Sequence, residues 1–221
     1  MGPCRITKKA PRGICGCDVH GIVGRNYLKF TAGGASAHSD HGREICHTLY
    51  ETSADGCYKV KDPEKLIRIA KEWDIETEGK DIYDLAHEVA LTGLNEYGKP
   101  FGTQKFLKRA PESQQKLWEE NELAPYAIDR EVSRSLHMTH MGCSSKPEAL
   151  VKQAIRCGLG DGWGGSMMGT EFSDILFGTP KPIETEANLG VMVEENVNIV
   201  VHGHDPSLSE MICEVADSPE M

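Results

Sequence analysis

Two cysteines in tight turns set the first constraint on this chain. Gly2-Pro3-Cys4-Arg5-Ile6 is followed, eleven residues after Cys4, by Gly13-Ile14-Cys15-Gly16. Proline rigidifies the first turn, and glycines let the backbone of the second come close to whatever the sulfurs bind. Small residues around thiols suit an iron–sulfur cluster, whose inorganic sulfides accept contacts from backbone amides. A four-iron cluster normally takes four cysteines, so this pair is half a cage. Two readings stand at this point: a plain two-cysteine turn, or a cluster site whose other ligands precede Met1.

Composition narrows the class. At 221 residues the chain has the size of one large domain or two ordinary ones. No apolar run approaches the roughly 20 residues of a membrane span, and no secretory signal pattern opens the chain. A soluble, cytoplasmic protein is expected. The net charge of −10 argues against nucleic acid as a partner, which would require clustered Lys and Arg. In the absence of a signal, eight cysteines point to metal binding rather than disulfides, with some thiols simply buried. Twenty-three glycines beside only 6% aromatic residues fit a backbone that wraps a cofactor.

The pattern along the chain is mainly α. Residues 1–17 form a Pro/Gly-punctuated loop. From Asp18 to about Ser53, Ile22, Val23, Tyr27, Phe30, Ile45 and Leu49 recur at helical spacing, with Gly33-Gly34 marking a break or a close helix contact. Asp62-Pro63-Glu64 is a cap-and-proline helix start running to about Trp73. Further helices are predicted from Asp81 to about Tyr97, Pro111 to Asn121, from a cap at Asp129, and from Pro147 to about Leu159. Gly162-Trp163-Gly164-Gly165 predicts a sharp turn before another helix through Ile175-Leu176. After Pro180 the character changes. Val197–Val201 reads as a buried strand, leading through His202-Gly203-His204-Asp205 into a helix from Pro206. That is a strand–loop–helix start, where α/β domains place ligands, and it predicts an α/β domain cut short. The domain expectation is therefore 1–17 cluster-binding loop, 18–180 helical domain and 181–221 the start of an α/β domain.

Histidines supply the second set of candidates. His38, His41 and His47 wind around the long helix over about 13 Å at 1.5 Å per residue, with Glu44 between them. Imidazoles titrate near neutrality, so such a file suits proton relay; partly exposed polar residues are the alternative. His202 and His204 alternate across extended backbone, so one can enter a metal site while the other packs. His137 and His140 lack a third ligand at suitable spacing and read as structural.

Taken together, these segments resemble one family: the catalytic subunit of anaerobic, nickel-containing carbon monoxide dehydrogenase. The resemblance runs through Gly2–Ile6, Gly13–Gly16, Ala37-His38-Ser39-Asp40-His41-Gly42-Arg43, Thr139-His140-Met141-Gly142 and Asp161-Gly162-Trp163-Gly164-Gly165-Ser166. It continues through Phe177-Gly178-Thr179-Pro180, Glu186-Ala187-Asn188-Leu189-Gly190 and Val197–His204. It implies a prismane-like architecture, with a helical N-terminal domain followed by Rossmann-like α/β domains. It also implies interconversion of CO and water with CO2, two protons and two electrons.

By this resemblance the cofactors are a nickel–iron–sulfur cluster and 4Fe-4S clusters. Cys4 and Cys15 would be two ligands of a relay 4Fe-4S cluster. His38, His41 and His47 would form the proton path, Glu44 departing from an all-histidine file. His204, with His202 as alternative, would bind the active-site iron. Ferredoxin or a similar carrier would take the electrons, the full-length protein would be a homodimer, and acetyl-CoA synthase is a possible partner. The remaining cysteines fall outside the ligand motifs, most ligands of the active cluster lie outside the chain, and the chain alone is expected to be inactive. Competing readings are a hybrid-cluster-protein-like reductase, which the Ala37–Arg43 segment disfavours, and a non-catalytic cluster-binding remnant.

Overall fold

The computed structural model describes residues 5–181, 192–195, 197–201 and 206–219, and all regular structure among them is helical. Helix α1, Val19–Asp55, is its axis. Asp18 starts it by accepting a hydrogen bond from the Gly21 amide at 2.9 Å, and Gly56 ends it in the left-handed conformation at φ 69°. Gly33 and Gly34 neither break α1 nor admit a neighbour, since a Cβ at either would meet nothing within 4 Å. Thirty-seven residues of unbroken helix outweigh the helix-weakening effect of two glycines, about 1 kcal/mol each.

The buried face of α1 differs from the expected one. Val23, Tyr27 and Phe30 point outward, and Phe30 is 80% exposed. The buried row is Gly21, Gly24, Arg25, Leu28, Ala32, Ala35, Ser39, Gly42, Cys46 and Leu49. Helices α3, α5, α6 and α7 all pack on α1, so its inner face is made of small residues that admit close neighbours. Val23, Tyr27 and Phe30 are left outside along its N-terminal half. Gly42 shows the reason, because a Cβ there would lie 2.6 Å from the Tyr97 hydroxyl and 2.9 Å from the Gly165 carbonyl.

Helix α2, Pro63–Glu72, begins as its sequence predicts, with Asp62 accepting from the Lys65 amide at 2.8 Å. Helices α3, Ile82–Glu96, and α4, Glu112–Glu120, follow, separated by a 3-10 turn over Lys105–Arg109. Helix α5, Ile128–Met138, is capped by Ala127 rather than Asp129. Asp129 is the second residue of the helix, its carboxylate taken by Ser39 and Arg43. Helix α6, Pro147–Gly160, runs into a π-helical segment, Asp161–Ser166, and then α7, Met167–Phe177. The expected sharp turn at 162–165 is thus a widened helical turn. The Gln104 amide donates to the Gly160 carbonyl at 3.0 Å just before it.

The core gathers Leu49, Ile69, Trp73, Val89, Phe106, Phe172 and Ile175 between α1, α2, α3 and α7. Helix α8, Pro206–Ala216, closes the described chain. Residues 197–201 form no strand, for a ladder needs a partner and none exists among the described residues. The Asn198 side chain instead pairs with both backbone groups of Val193, at 2.9 and 2.7 Å. No helix among the described residues is long and apolar enough to cross a membrane.

Candidate functional site

Cys15 lies in the turn just before α1. The Gly13 amide donates to Cys17 O at 2.8 Å and the Gly16 amide to Gly13 O at 2.9 Å, and Gly16 takes φ 80°. This winding leaves the Cys15 sulfur partly open. Arg25 reaches it from the first turns of α1, donating from Nη1 to Sγ at 3.4 Å. The backbone amides of Cys17 and Gly142 also hydrogen-bond this sulfur. The Arg25 hydrogen bond, followed by that of Cys17, holds the thiol below its ordinary range. A partly open sulfur, biased toward thiolate and ringed by N–H donors, has the chemistry of an iron–sulfur ligand.

The other described cysteines divide into two sets. Cys17, Cys46 and Cys157 are buried, while Cys57, Cys143 and Cys213 are exposed. Burial pushes Cys46 up to about 12 and Cys157 to about 11, which keeps both as inert thiols. Among the described residues no group of three or more His, Cys, Asp or Glu side chains could hold a metal ion. The described residues therefore offer Cys15 as a single sulfur ligand rather than a complete ligand set. Cys4, His202 and His204 lie outside the described residues.

His38, His41 and His47 lie on the exposed side of α1, as does Glu44. His38 Nδ1 is 2.7 Å from Asp161 Oδ1 and 3.1 Å from Ser166 Oγ, the two ends of the π-helical segment. A carboxylate in this position fixes the imidazole's orientation. His41 lies over α7, its Nδ1 within 3.5 Å of where a Gly169 Cβ would be. Among the described residues no hydrogen bond joins one imidazole of the file to the next; His38 is the one tied to another segment.

Beneath the file, Asp129 accepts from Ser39 at 2.6 Å and from Arg43 at 2.5 Å. The Arg43 guanidinium covers the Tyr97 ring at 4.9 Å. These contacts pin α5 to the stretch of α1 that carries the histidines.

Reading the sequence for thiols and imidazoles passes over Arg25, Asp161 and Ser166. A signal for the first existed, since Arg25 lies one turn beyond Gly21 on a helix already capped at Asp18. Asp161 and Ser166 bracket the glycine-rich run, but their meeting at His38 depends on the π-helical turn.

The family model described as "Prismane/CO dehydrogenase family" matches residues 1–221. The chain belongs to the Prismane/CO dehydrogenase family.

Within this family the chain is 45% identical to carbon monoxide dehydrogenase 1 of Methanosarcina acetivorans, over 100% of this chain and 36% of the relative. It is 43% identical to carbon monoxide dehydrogenase 1 of Carboxydothermus hydrogenoformans, over 97% of this chain and 35% of that protein. The chain thus spans about a third of the length of these curated relatives. A nickel-free crystal structure of carbon monoxide dehydrogenase from Thermococcus sp. AM4 superposes with a TM-score of 0.88 at 47% identity, covering 100% of this chain and 36% of that one. An acetyl-CoA synthase/carbon monoxide dehydrogenase structure with NiZn[Fe4S4] and NiNi[Fe4S4] clusters in its alpha subunits gives a TM-score of 0.84 at 39% identity, covering 97% and 33%. The prismane-like, mainly helical architecture expected from the sequence is the one these structures share with this chain.

Proposed function

We propose that this chain is a segment of an anaerobic carbon monoxide dehydrogenase, which interconverts CO and water with CO2, two protons and two electrons. The observation that carries this is the match of residues 1–221 to a family whose relatives, one of them 45% identical over the whole chain, are carbon monoxide dehydrogenases. When bound, a nickel–iron–sulfur cluster supplies the redox chemistry on CO, and a 4Fe-4S cluster the route for electrons. On this reading Cys4 and Cys15 hold the relay 4Fe-4S cluster, and His204, or alternatively His202, binds the active-site iron. Residues 1–17 form the cluster loop, 18–180 the helical domain and 181–221 the start of a Rossmann-like domain.

The chain's own residues would divide the labour. Cys15 presents a thiolate held by Arg25 and two backbone amides. His38 accepts a proton at its free ring nitrogen while Asp161 holds Nδ1, and exposed His41 and His47 pass protons on to solvent. Electrons would leave to ferredoxin or a similar carrier in the cytoplasm. The full-length protein would act as a homodimer, with acetyl-CoA synthase as a possible partner, and this chain alone would be inactive.

The test replaces the corresponding third of the Carboxydothermus relative with residues 1–221 and purifies the chimera anaerobically. CO-dependent viologen reduction by the chimera, and none by the 221-residue chain alone, is the expected result. A folded chimera with full iron and nickel but no CO-dependent reduction sinks the proposal. Activity of the 221-residue chain by itself sinks its claim of inactivity.

A further inference from the structure

Three cations are buried among the described residues: Lys65, Arg156 and Arg25, at 5%, 8% and 7% exposure. A buried charge is normally neutralised by a partner. Lys65 has two carboxylates, Asp174 in direct contact and Glu171 at 3.4 Å. Arg156 has Glu131, with Nη2 at 2.7 Å. Arg25 takes part in none of the ion pairs among the described residues. Its partners are the carbonyl of Ser144, reached by Nε at 2.7 Å and by Nη2, and the sulfur of Cys15.

The fork is thus split. One edge grips a carbonyl 119 residues away, and the remaining Nη1 is directed at a thiol. Lysine has no second edge with which to do this. Gly21, one turn before Arg25, keeps the two loops close, because a Cβ there would come 2.8 Å from Ser145 O. The built feature is a buried guanidinium, locked from behind, whose one free edge faces an atom able to carry negative charge.

We infer that Arg25 is a positioning residue for the relay cluster. It staples the Cys15 loop to the 139–145 loop and holds a positive charge, with no carboxylate partner among the described residues, against the cluster's thiolate shell. This inference rests on the reading of Cys15 as a cluster ligand. Net charge and hydrogen bonds to sulfur set iron–sulfur potentials, and a fixed cation at one ligand favours the reduced, more negative member of the one-electron couple. Arg25 therefore keeps the relay easy to reduce, and Ser144 lends only its carbonyl.

The test is an electron paramagnetic resonance redox titration of the relay cluster in the anaerobically purified holoenzyme containing this chain. The forms compared are native, Arg25→Met, Arg25→Lys and Cys15→Ser. Arg25→Met is expected to lower the reduced-to-oxidised ratio at fixed poise about tenfold, which is about 59 mV for a one-electron couple. Arg25→Lys is expected to recover part of that shift with native iron content. A relay signal unchanged in Cys15→Ser means that Cys15 is not a ligand, and the underlying reading fails. A relay signal altered in Cys15→Ser but a native potential in Arg25→Met overturns the role of Arg25 alone. Should Arg25→Met fail to incorporate iron, Arg25→Lys decides: iron retained with a lowered potential supports the role, and iron retained with a native potential overturns it.

Discussion

The two ends of α1 hold cysteines in opposite surroundings. Before its first turn, Cys15 sits in an open loop against a guanidinium and backbone amides, and its thiol is drawn toward ionisation. In its C-terminal half, Cys46 is fully buried, lies 3.8 Å from the Tyr97 hydroxyl, and is pushed up to about 12 by burial. Tyr97 is itself raised by burial and by the neighbouring sulfur. One end is built from polar groups aimed at a point, the other from apolar volume filled to density. Of these two cysteines, the chemically available one is that which the fold surrounds with N–H donors in place of carbon.

The sharpest way to break this contrast is thiol reactivity. At pH 8 a thiol near 12 is ionised to only about one part in ten thousand, and burial denies reagents access as well. Iodoacetamide labelling of the metal-free chain, read by peptide mass mapping, should modify Cys15 more than a thousandfold faster than Cys46. Comparable rates would mean that the Cys46 region opens readily.

The next effect is on packing. Phe172 is buried against Trp73, with ring centroids 5.9 Å apart. Phe172→Ala should cost about 3–5 kcal/mol in urea unfolding and expose Cys46 to labelling while leaving the Cys15 rate unchanged.

Glu131 comes third. It is wholly buried, and although burial pushes its carboxyl up, Arg156, the Tyr126 amide and Gln153 together bring it below the usual range. Glu131→Gln should cost about 3 kcal/mol, at the lower end for a broken buried pair because the amide keeps an acceptor. A carboxyl depressed on folding stabilises the native state above its unfolded value. The gap between native and variant should therefore persist down to about pH 4.5, the ordinary glutamate value, and close as pH falls through the lowered folded value. Urea midpoints across pH 3–7 measure this.

Smallest is the effect of Arg25→Met on Cys15 labelling near neutral pH. A severalfold slowing is expected, because the loss of thiolate is partly offset by the greater nucleophilicity of a more basic sulfur. No slowing would show that the guanidinium does not act on the sulfur.

Much of the helical framework was legible. Asp62-Pro63 and Lys146-Pro147 place helix starts because capping and proline geometry are local. The inner face of α1 was not legible, because Val23, Tyr27 and Phe30 outrank Gly21, Ala32, Ala35 and Gly42 on any hydrophobic count. Which row turns inward is decided by how closely α6 and α7 approach, a tertiary matter. The π-helical run 161–166 reads as a turn because its glycines permit either, and Asp129 resembles a cap until Ser39 and Arg43 claim it. Val197–Val201 has strand composition, yet strand is a property of a pair, and one partner is not enough.

Of the candidate residues, thiol and imidazole chemistry flags Cys15, His38, His41 and His47 directly. The groups that orient them, Arg25 and Asp161, come from chain positions that only the fold brings near.

The unbroken course of α1 has a consequence for how the family's sequences can vary. At 1.5 Å and 100° per residue, the helix works as a ruler about 55 Å long, with the Cys15 loop at one end and the histidines graduated along its middle. A one-residue insertion near Gly33 would advance His38 by only about 1.5 Å. It would also turn every later graduation by about 100°, swinging His38 away from Asp161 and Gly42 out of its narrow crossing. Substitutions on the outer row cost little, whereas a change of length has no cheap remedy. Over this span the register of α1 is expected to be as strictly kept as any side chain upon it.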